Sequence, residues 1–190
     1  MALTETAIRK MFTTPDGEFL CARWGRPVAP VVFGLADESL AVFRAALAAA
    51  LAHAGQPMAD TDPEMGANLM VFAVRDWGEL AGLPDFDRLT GLPDLPARLA
   101  AQDADRYRLL RFDDDGAIRA CLSFLRLGGP LADAHPARLA EDTAVNALLS
   151  FARHVTPSAD LAALIRAAYD PRLPPAARDP SHALRLAARL

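Results

Sequence analysis

A chain of 190 residues, 52% apolar and 23% charged, has the composition of an ordinary folded domain with room for a sizeable core, and not that of a disordered polymer. The formal net charge of −4 gives no electrostatic basis for binding nucleic acid or an anionic membrane, and the excess of arginine over lysine is a compositional bias rather than a phosphate-binding patch. The longest apolar run, residues 40–54, is broken by Arg44 and His53 and is too short to span a bilayer, and the first ten residues lack a signal-peptide core, so a cytoplasmic protein is expected.

Residues 7–24 read as a hairpin, with strands on either side of Thr14-Pro15-Asp16-Gly17, where proline presets one turn dihedral and glycine permits a positive φ. A bend at residues 23–27 leads into an apolar run at 28–35 that suits a buried strand. Asp37 or Ser39 is placed to cap a helix over residues 38–54, on which Leu40, Phe43, Leu47 and Leu51 form one stripe, and Gly55 with Pro57 ends it. Residues 68–75 are again almost wholly apolar. Strand, helix, strand is a βαβ-like unit whose two strands can lie parallel in one sheet.

Residues 76–95 read as loop, with short helical turns at 77–80 and 96–102. Residues 106–112 and 117–127 flank Asp113-Asp114-Asp115-Gly116, a hairpin turn. On the second strand Ile118, Ala120, Leu122 and Phe124 face one way, and Arg119, Cys121 and Ser123 the other, so it reads as a half-buried edge strand. A helix starting at Pro136 is expected to run to His154, with Ala140, Ala144, Leu148 and Phe151 inward. A second follows Ser158 and must stop near Tyr169, because Pro171 forces Asp170 out of the helical region. Asp179-Pro180-Ser181 starts a last amphipathic helix carrying Leu184, Leu186 and Leu190. The expected buried set is Phe33, Phe43, Leu47, Leu51, Val71, Leu122, Phe124, Leu148 and Leu164.

Few residues point to chemistry. The four histidines, His53, His135, His154 and His182, lie on different segments and give no His-Glu-x-x-His helix, so no metal or other cofactor is expected. His53 and His154 are each expected at a helix C-terminus, where a cation meets the negative end of the dipole. Glu141 and Asp142 are adjacent and therefore do not face each other. Asp142 shares a face with Arg138 and Asn146, either as an exposed ion-paired stripe or as a polar patch in a cleft. Asp113-Asp114-Asp115-Gly116 lacks the later ligands of a calcium loop, and no Gly-x-Ser-x-Gly supplies a nucleophile. Cys21 and Cys121 belong to no Cys-x-x-Cys pair and read as reduced, buried thiols on strands.

Three stretches carry a resemblance: Arg23-Trp24-Gly25-Arg26-Pro27-Val28, then Ala67-Asn68-Leu69-Met70-Val71, and late in the chain Ala168-Tyr169-Asp170-Pro171-Arg172-Leu173. In this order they are similar to a bacterial family of unknown function whose better-known members are exported and whose domain resembles the zincin-like metallopeptidase architecture. The resemblance covers residues from about 20 to the C-terminus. It implies a zincin-like fold and places Glu141-Asp142 where the family has an acidic pair. The position three after that pair is Val145 instead of a polar residue, and no histidine ligands flank it. A metal-activated water has no holder there, which argues against the peptidase reaction.

The expectation is therefore one α+β domain over residues 1–190, with a hairpin at 1–24, a sheet-rich part at 25–127 and a helical part at 136–190. A mixed sheet carries one long packed helix, and the final third is helical and the whole zincin-like. The expected function is non-catalytic binding of a protein or peptide partner in a cleft between the sheet edge and the Pro136 helix. Two alternatives stay open: a hydrolase or metal-dependent peptidase built on Glu141 or Asp142 with His135 or His154, and a structural assembly subunit.

Overall fold

The computed structural model describes residues 3–190; Met1 and Ala2, counted in the expected segment 1–24, lie outside the described residues. The chain opens with a helix, α1 (Glu5–Phe12), where the hairpin's first strand is expected. Ile8 and Phe12 stand one turn apart and are both buried, the Thr4 hydroxyl accepts from the Ala7 N–H at 3.2 Å, and Glu5 pairs with Arg9 at 2.8 Å. A capped turn with apolar residues at i and i+4 outweighs the strand pattern. The Thr14–Gly17 turn is present, but it joins α1 to a short strand, β1 (Cys21–Ala22).

β2 (Pro30–Phe33), α2 (Asp37–His53) and β3 (Leu69–Val74) form the βαβ unit, with Pro30 opposite Leu69 and Phe33 opposite Phe72 in parallel register. Ala36, not Asp37 or Ser39, is the cap residue of α2, and its side chain contributes no bond. Gly34, at φ +86°, makes the turn between β2 and α2. A Cβ there would sit 1.8 Å from the Ala73 carbonyl oxygen, so only glycine lets the two strand ends lie this close.

Three short helices follow, α3 (Gly78–Ala81), α4 (Phe86–Thr90) and α5 (Leu95–Ala101), and then the hairpin of β4 (Arg106–Phe112) and β5 (Ile118–Arg126). The four main strands make one mixed sheet in the order β2-β3-β5-β4, parallel except for the antiparallel edge strand β4. β5 is thus an inner strand and not the half-buried edge expected. Cys121 and Leu125 join one core with residues of α1, α2 and the C-terminal helices. Leu122 and Phe124 join a second core with Leu80, Phe86, Leu95 and Leu99 from the three short helices. Both faces of the sheet are covered, which is why β5 lacks a polar side. A register irregularity at the hairpin end moves Ile118 to the first core, apart from Leu122 and Phe124.

α6 (Pro136–Leu148), α7 (Ala159–Ala168), β6 (Ala176–Ala177) and α8 (His182–Ala187) complete the chain. β6 pairs antiparallel with β1 in a separate two-stranded sheet. α6 lies along α2 and touches β5. Of the expected core only Phe33 is misplaced. It ends the edge strand β2, is 47% exposed, and stacks on Phe72 with ring centroids 5.1 Å apart. On α8 only Leu186 of the three leucines is inward; Ala183 and His182 supply the rest of the buried face. Among the described residues no helix is long and apolar enough to cross a membrane.

α7 stops at Tyr169 as its prolines require, and Ser158 caps its start with the hydroxyl 3.2 Å from the Leu161 nitrogen. The Tyr169 hydroxyl donates to the Leu148 carbonyl at 2.8 Å, at the end of α6, and Arg23 lies over the ring 5.6 Å from its centroid. Asp170 pairs with Arg189 at 2.9 Å rather than with the Arg172 side chain, whose backbone N–H it receives instead. Tyr169→Phe keeps the ring, orphans the Leu148 carbonyl and removes the acceptor of the Trp24 N–H at 3.5 Å. It is expected to cost about 1–2 kcal/mol in chemical denaturation.

His182 gives a pH prediction. The residue is 4% exposed, and Nδ1 has no hydrogen-bond partner among the described residues. Burial first, then the charges of Arg185 and Arg189, hold its pKa below the usual histidine value. Below about pH 6.5 the unfolded chain binds a proton that the folded chain refuses, so stability falls as pH drops through that range. The stability lost between pH 7.5 and 5 is expected to be smaller in His182→Leu than in the unaltered protein. Equal losses would contradict this.

Candidate functional site

Arg106 and Arg108 lie two residues apart on β4, opposite Leu125 and Ser123 of β5, so all four project to the face covered by α6. Asp142, Thr143 and Asn146 of α6 meet them, and residues 152–154 close the remaining side of a cavity of about 220 Å³. The cavity exists because α6 stops at Leu148 and not at His154. Arg108 donates to the carbonyls of Asn146 and Phe151, and to that of Leu149 at 3.2 Å. A guanidinium at the helix C-terminus thereby satisfies carbonyls that lack helical partners and draws the following chain across the sheet.

Other tertiary bonds complete the turn. The Ser150 N–H donates to the Ala22 carbonyl, while its hydroxyl accepts from the Ala22 N–H at 2.6 Å and donates to the Leu20 carbonyl at 2.8 Å. The Asn146 amide then pairs with the backbone of Val155 in both directions, at 2.8 and 2.9 Å. Fixing Val155 beside Asn146 sets His154 over Asp142, one helical turn earlier on α6.

Asp142 and His154 are the two expected site residues that come together. His154 Nε2 is 2.9 Å from Asp142 Oδ1 and 3.0 Å from Oδ2, and Arg106 Nη1 is 3.0 Å from Oδ2. The same Arg106 nitrogen is 2.6 Å from His154 Nε2. One imidazole nitrogen cannot donate to the carboxylate and accept from the guanidinium at once, so one contact of the three is always between like partners. Asp142 pairs across the cleft with β4 and not along α6 with Arg138. His154 is not at a helix C-terminus, since the helix ends six residues earlier.

Glu141 and His135 make no hydrogen bond or ion pair within this cluster among the described residues. Glu141 is exposed; it borders a largely apolar cavity with His53 between α2, α6 and α7, and it also lines a cleft with Arg106, Asp142 and His154. His135 is the N-cap of α6, its Nδ1 accepting from the Ala137 N–H at 3.2 Å. No group of three or more histidine, cysteine, aspartate or glutamate side chains is placed to share a metal ion among the described residues. The residues that sequence reading missed are Arg106, Arg108, Ser123 and Thr143. The alternation Arg106-x-Arg108 on a strand was the available signal, hidden by the abundance of arginine.

The thiols offer no nucleophile. Cys21 and Cys121 are buried, and burial pushes each pKa up to about 12; for Cys121 the nearby Arg108 charge opposes the rise only in part. Ser123 and Thr143 border the cavity without a hydrogen bond to His154, so neither hydroxyl has a base in contact. The cavity brings together guanidiniums, two hydroxyls without a hydrogen-bond partner among the described residues and one carboxylate, beside an edge strand. Comparison with family models, curated proteins and solved structures finds no match for the chain.

Proposed function

We propose that the chain is a non-catalytic, zincin-like domain that binds an extended peptide or protein segment by strand addition at β4. The observation that carries this reading is the open outer edge of β4 beside the cavity. The Arg126 N–H donates to the Asp105 carbonyl at 2.9 Å, which sets the antiparallel alternation. Tyr107, Leu109 and Arg111 bond inward to β5, and the N–H and C=O groups of Arg106, Arg108 and Leu110 turn outward. No backbone partner meets those outward groups among the described residues.

An edge of seven residues is long enough to template another strand, whereas the opposite edge strand, β2, has four and begins with proline. The zincin-like part of the reading rests on the resemblance, which sets a sheet edge beside the helix bearing the acidic pair, as β4 lies beside α6. A cytoplasmic partner follows from the location expected of the sequence.

Hydrogen exchange tests this. In the free protein the amides of Arg108 and Leu110 are expected to exchange far faster than those of Tyr107, Leu109 and Arg111. A peptide selected for binding should protect the first pair. Leu110→Pro removes an outward donor, with Leu110→Ala as the control for lost packing, and should weaken binding about tenfold more than the control. A binder that leaves both outward amides unprotected would sink the reading.

A further inference from the structure

We infer that the cavity beside β4 is a carboxylate-binding subsite for an acidic side chain of the added strand, and that Arg106 is the residue that changes partners to receive it. The inference rests on the strand-addition reading. A strand paired to the outer edge of β4 places the residue opposite Arg108 on the same face as Arg108, and that face looks onto the cavity.

Charge favours an anion there. Arg106, Arg108 and Arg153 border the cavity against one lining carboxylate, Asp142, with a second, Asp105, paired to Arg106 at 3.5 Å; three cations still face two anions. Arg108 is held by carbonyls alone, and among the described residues Arg153 has no ion-pair partner. Thr143 borders the cavity, is 3% exposed, and its buried hydroxyl has no hydrogen-bond partner among the described residues. Buried hydroxyls are rarely left so, and a ligand oxygen in the cavity would satisfy it.

Arg106 is poised to move. It crowds His154 Nε2 at 2.6 Å while sharing Asp142 with that ring, and its Nε makes no hydrogen bond and is held only by Asp105 Oδ1 at 3.5 Å. Turning Arg106 to an incoming carboxylate leaves His154 Nε2 free to donate to Asp142 alone and removes the conflict between two donors. A planar carboxylate suits a guanidinium as a two-point partner, and Asp142 opposes a more highly charged phosphate.

The test uses two fluorescent peptides of alternating threonine and valine, one with a central glutamate and one with glutamine in its place. It adds titration of the protein alone with sodium acetate and with inorganic phosphate at constant ionic strength, followed by the His154 ring signals in NMR. The glutamate peptide is expected to bind at least tenfold more tightly. Arg106→Gln should reduce that preference below twofold, Thr143→Val should weaken the glutamate peptide several-fold, and acetate should shift the His154 signals saturably only when Arg106 is present. Equal binding of the two peptides, with Arg108 and Leu110 amides protected, overturns the subsite and leaves strand addition standing. Acetate binding without amide protection by either peptide overturns strand addition and makes a free carboxylate the ligand. A response to phosphate and not to acetate overturns the carboxylate assignment.

Discussion

Asn68→Asp is expected to destabilise the protein by about 3–5 kcal/mol at neutral pH, although it changes one atom type and no volume. Asn68 is fully buried at the start of β3. Its Oδ1 accepts from the Ala29 N–H at 2.7 Å, and its Nδ2 donates to the Pro27 carbonyl at 2.9 Å and to Asp62 Oδ2 at 3.0 Å. Its backbone carbonyl accepts from the Cys121 N–H at 2.8 Å, so one residue ties the approach to β2, the start of β3 and β5 together. Asp62 is itself buried. Burial raises its pKa, but the N–H groups of Met65 and Glu64, the Asn68 amide and Arg26 outweigh this and hold the carboxyl below its usual range.

The substitution turns a donor into a second carboxylate oxygen facing Asp62 and a carbonyl, with no cation added. Two like charges at hydrogen-bond distance in the interior cannot both stay ionised, so one takes up a proton above its ordinary pKa. The sign follows: the penalty is full at neutral pH and shrinks as pH falls through the raised value, because the folded variant then binds the proton more readily than the unfolded chain. Urea denaturation at pH 7 and pH 5 measures both effects. A cost below about 1 kcal/mol at pH 7 would mean that Asn68 does not join these strands as described.

Asn68 and Tyr169 are both structural clamps, the first joining β2, β3 and β5 and the second joining the end of α7 to the end of α6. The parts of the fold legible in the sequence are those where local pattern and tertiary demand agree. The α2 stripe of Phe43, Leu47 and Leu51, the apolar runs of β2 and β3, and the Asp-rich turn between β4 and β5 needed no distant partner to be read. α4 escaped because a helix of five residues is too short to show a period, whereas the turns expected at 77–80 and 96–102 are α3 and α5; all three persist by burying Leu80, Phe86, Leu95 and Leu99 against β5.

The end of α6 escaped for a different reason. Phe151 and Val155 continue the helical stripe, yet the backbone around them bonds to Arg108, Ala22, Met11 and Asn146 instead. That competition is invisible without the other strands. The candidate site was half legible accordingly. Asp142 and Asn146 stand out by spacing on one helix face, whereas the arrival of His154 over Asp142 depends on the chain leaving the helix. Nothing local to 149–155 announces it.

Arg108→Met puts that account to the test, and is expected to cost about 3–5 kcal/mol. The methionine fills much of the arginine's volume, so cavity formation is a minor contribution. What is lost is the set of charge-assisted bonds to the Asn146, Leu149 and Phe151 carbonyls, each worth about 1.5–3 kcal/mol. Part of this returns, because burial already disfavours the Arg108 charge and lowers its pKa, with the Cys121 sulfur opposing only weakly. Orphaned carbonyls outweigh that relief, since three of them lose one donor together. Arg108→Lys should fall between, an ammonium on a single stem being unable to span all three. The local signature is as important as the total: in Arg108→Met the amides of Ala22, Ser150 and Ala152 should exchange faster, and the His154 ring signals should move as residues 149–155 loosen from α6. If stability falls but those amides and the His154 signals stay as they were, Arg108 is a core-filling side chain only, and the cavity owes its shape to Asn146 and Ser150 alone.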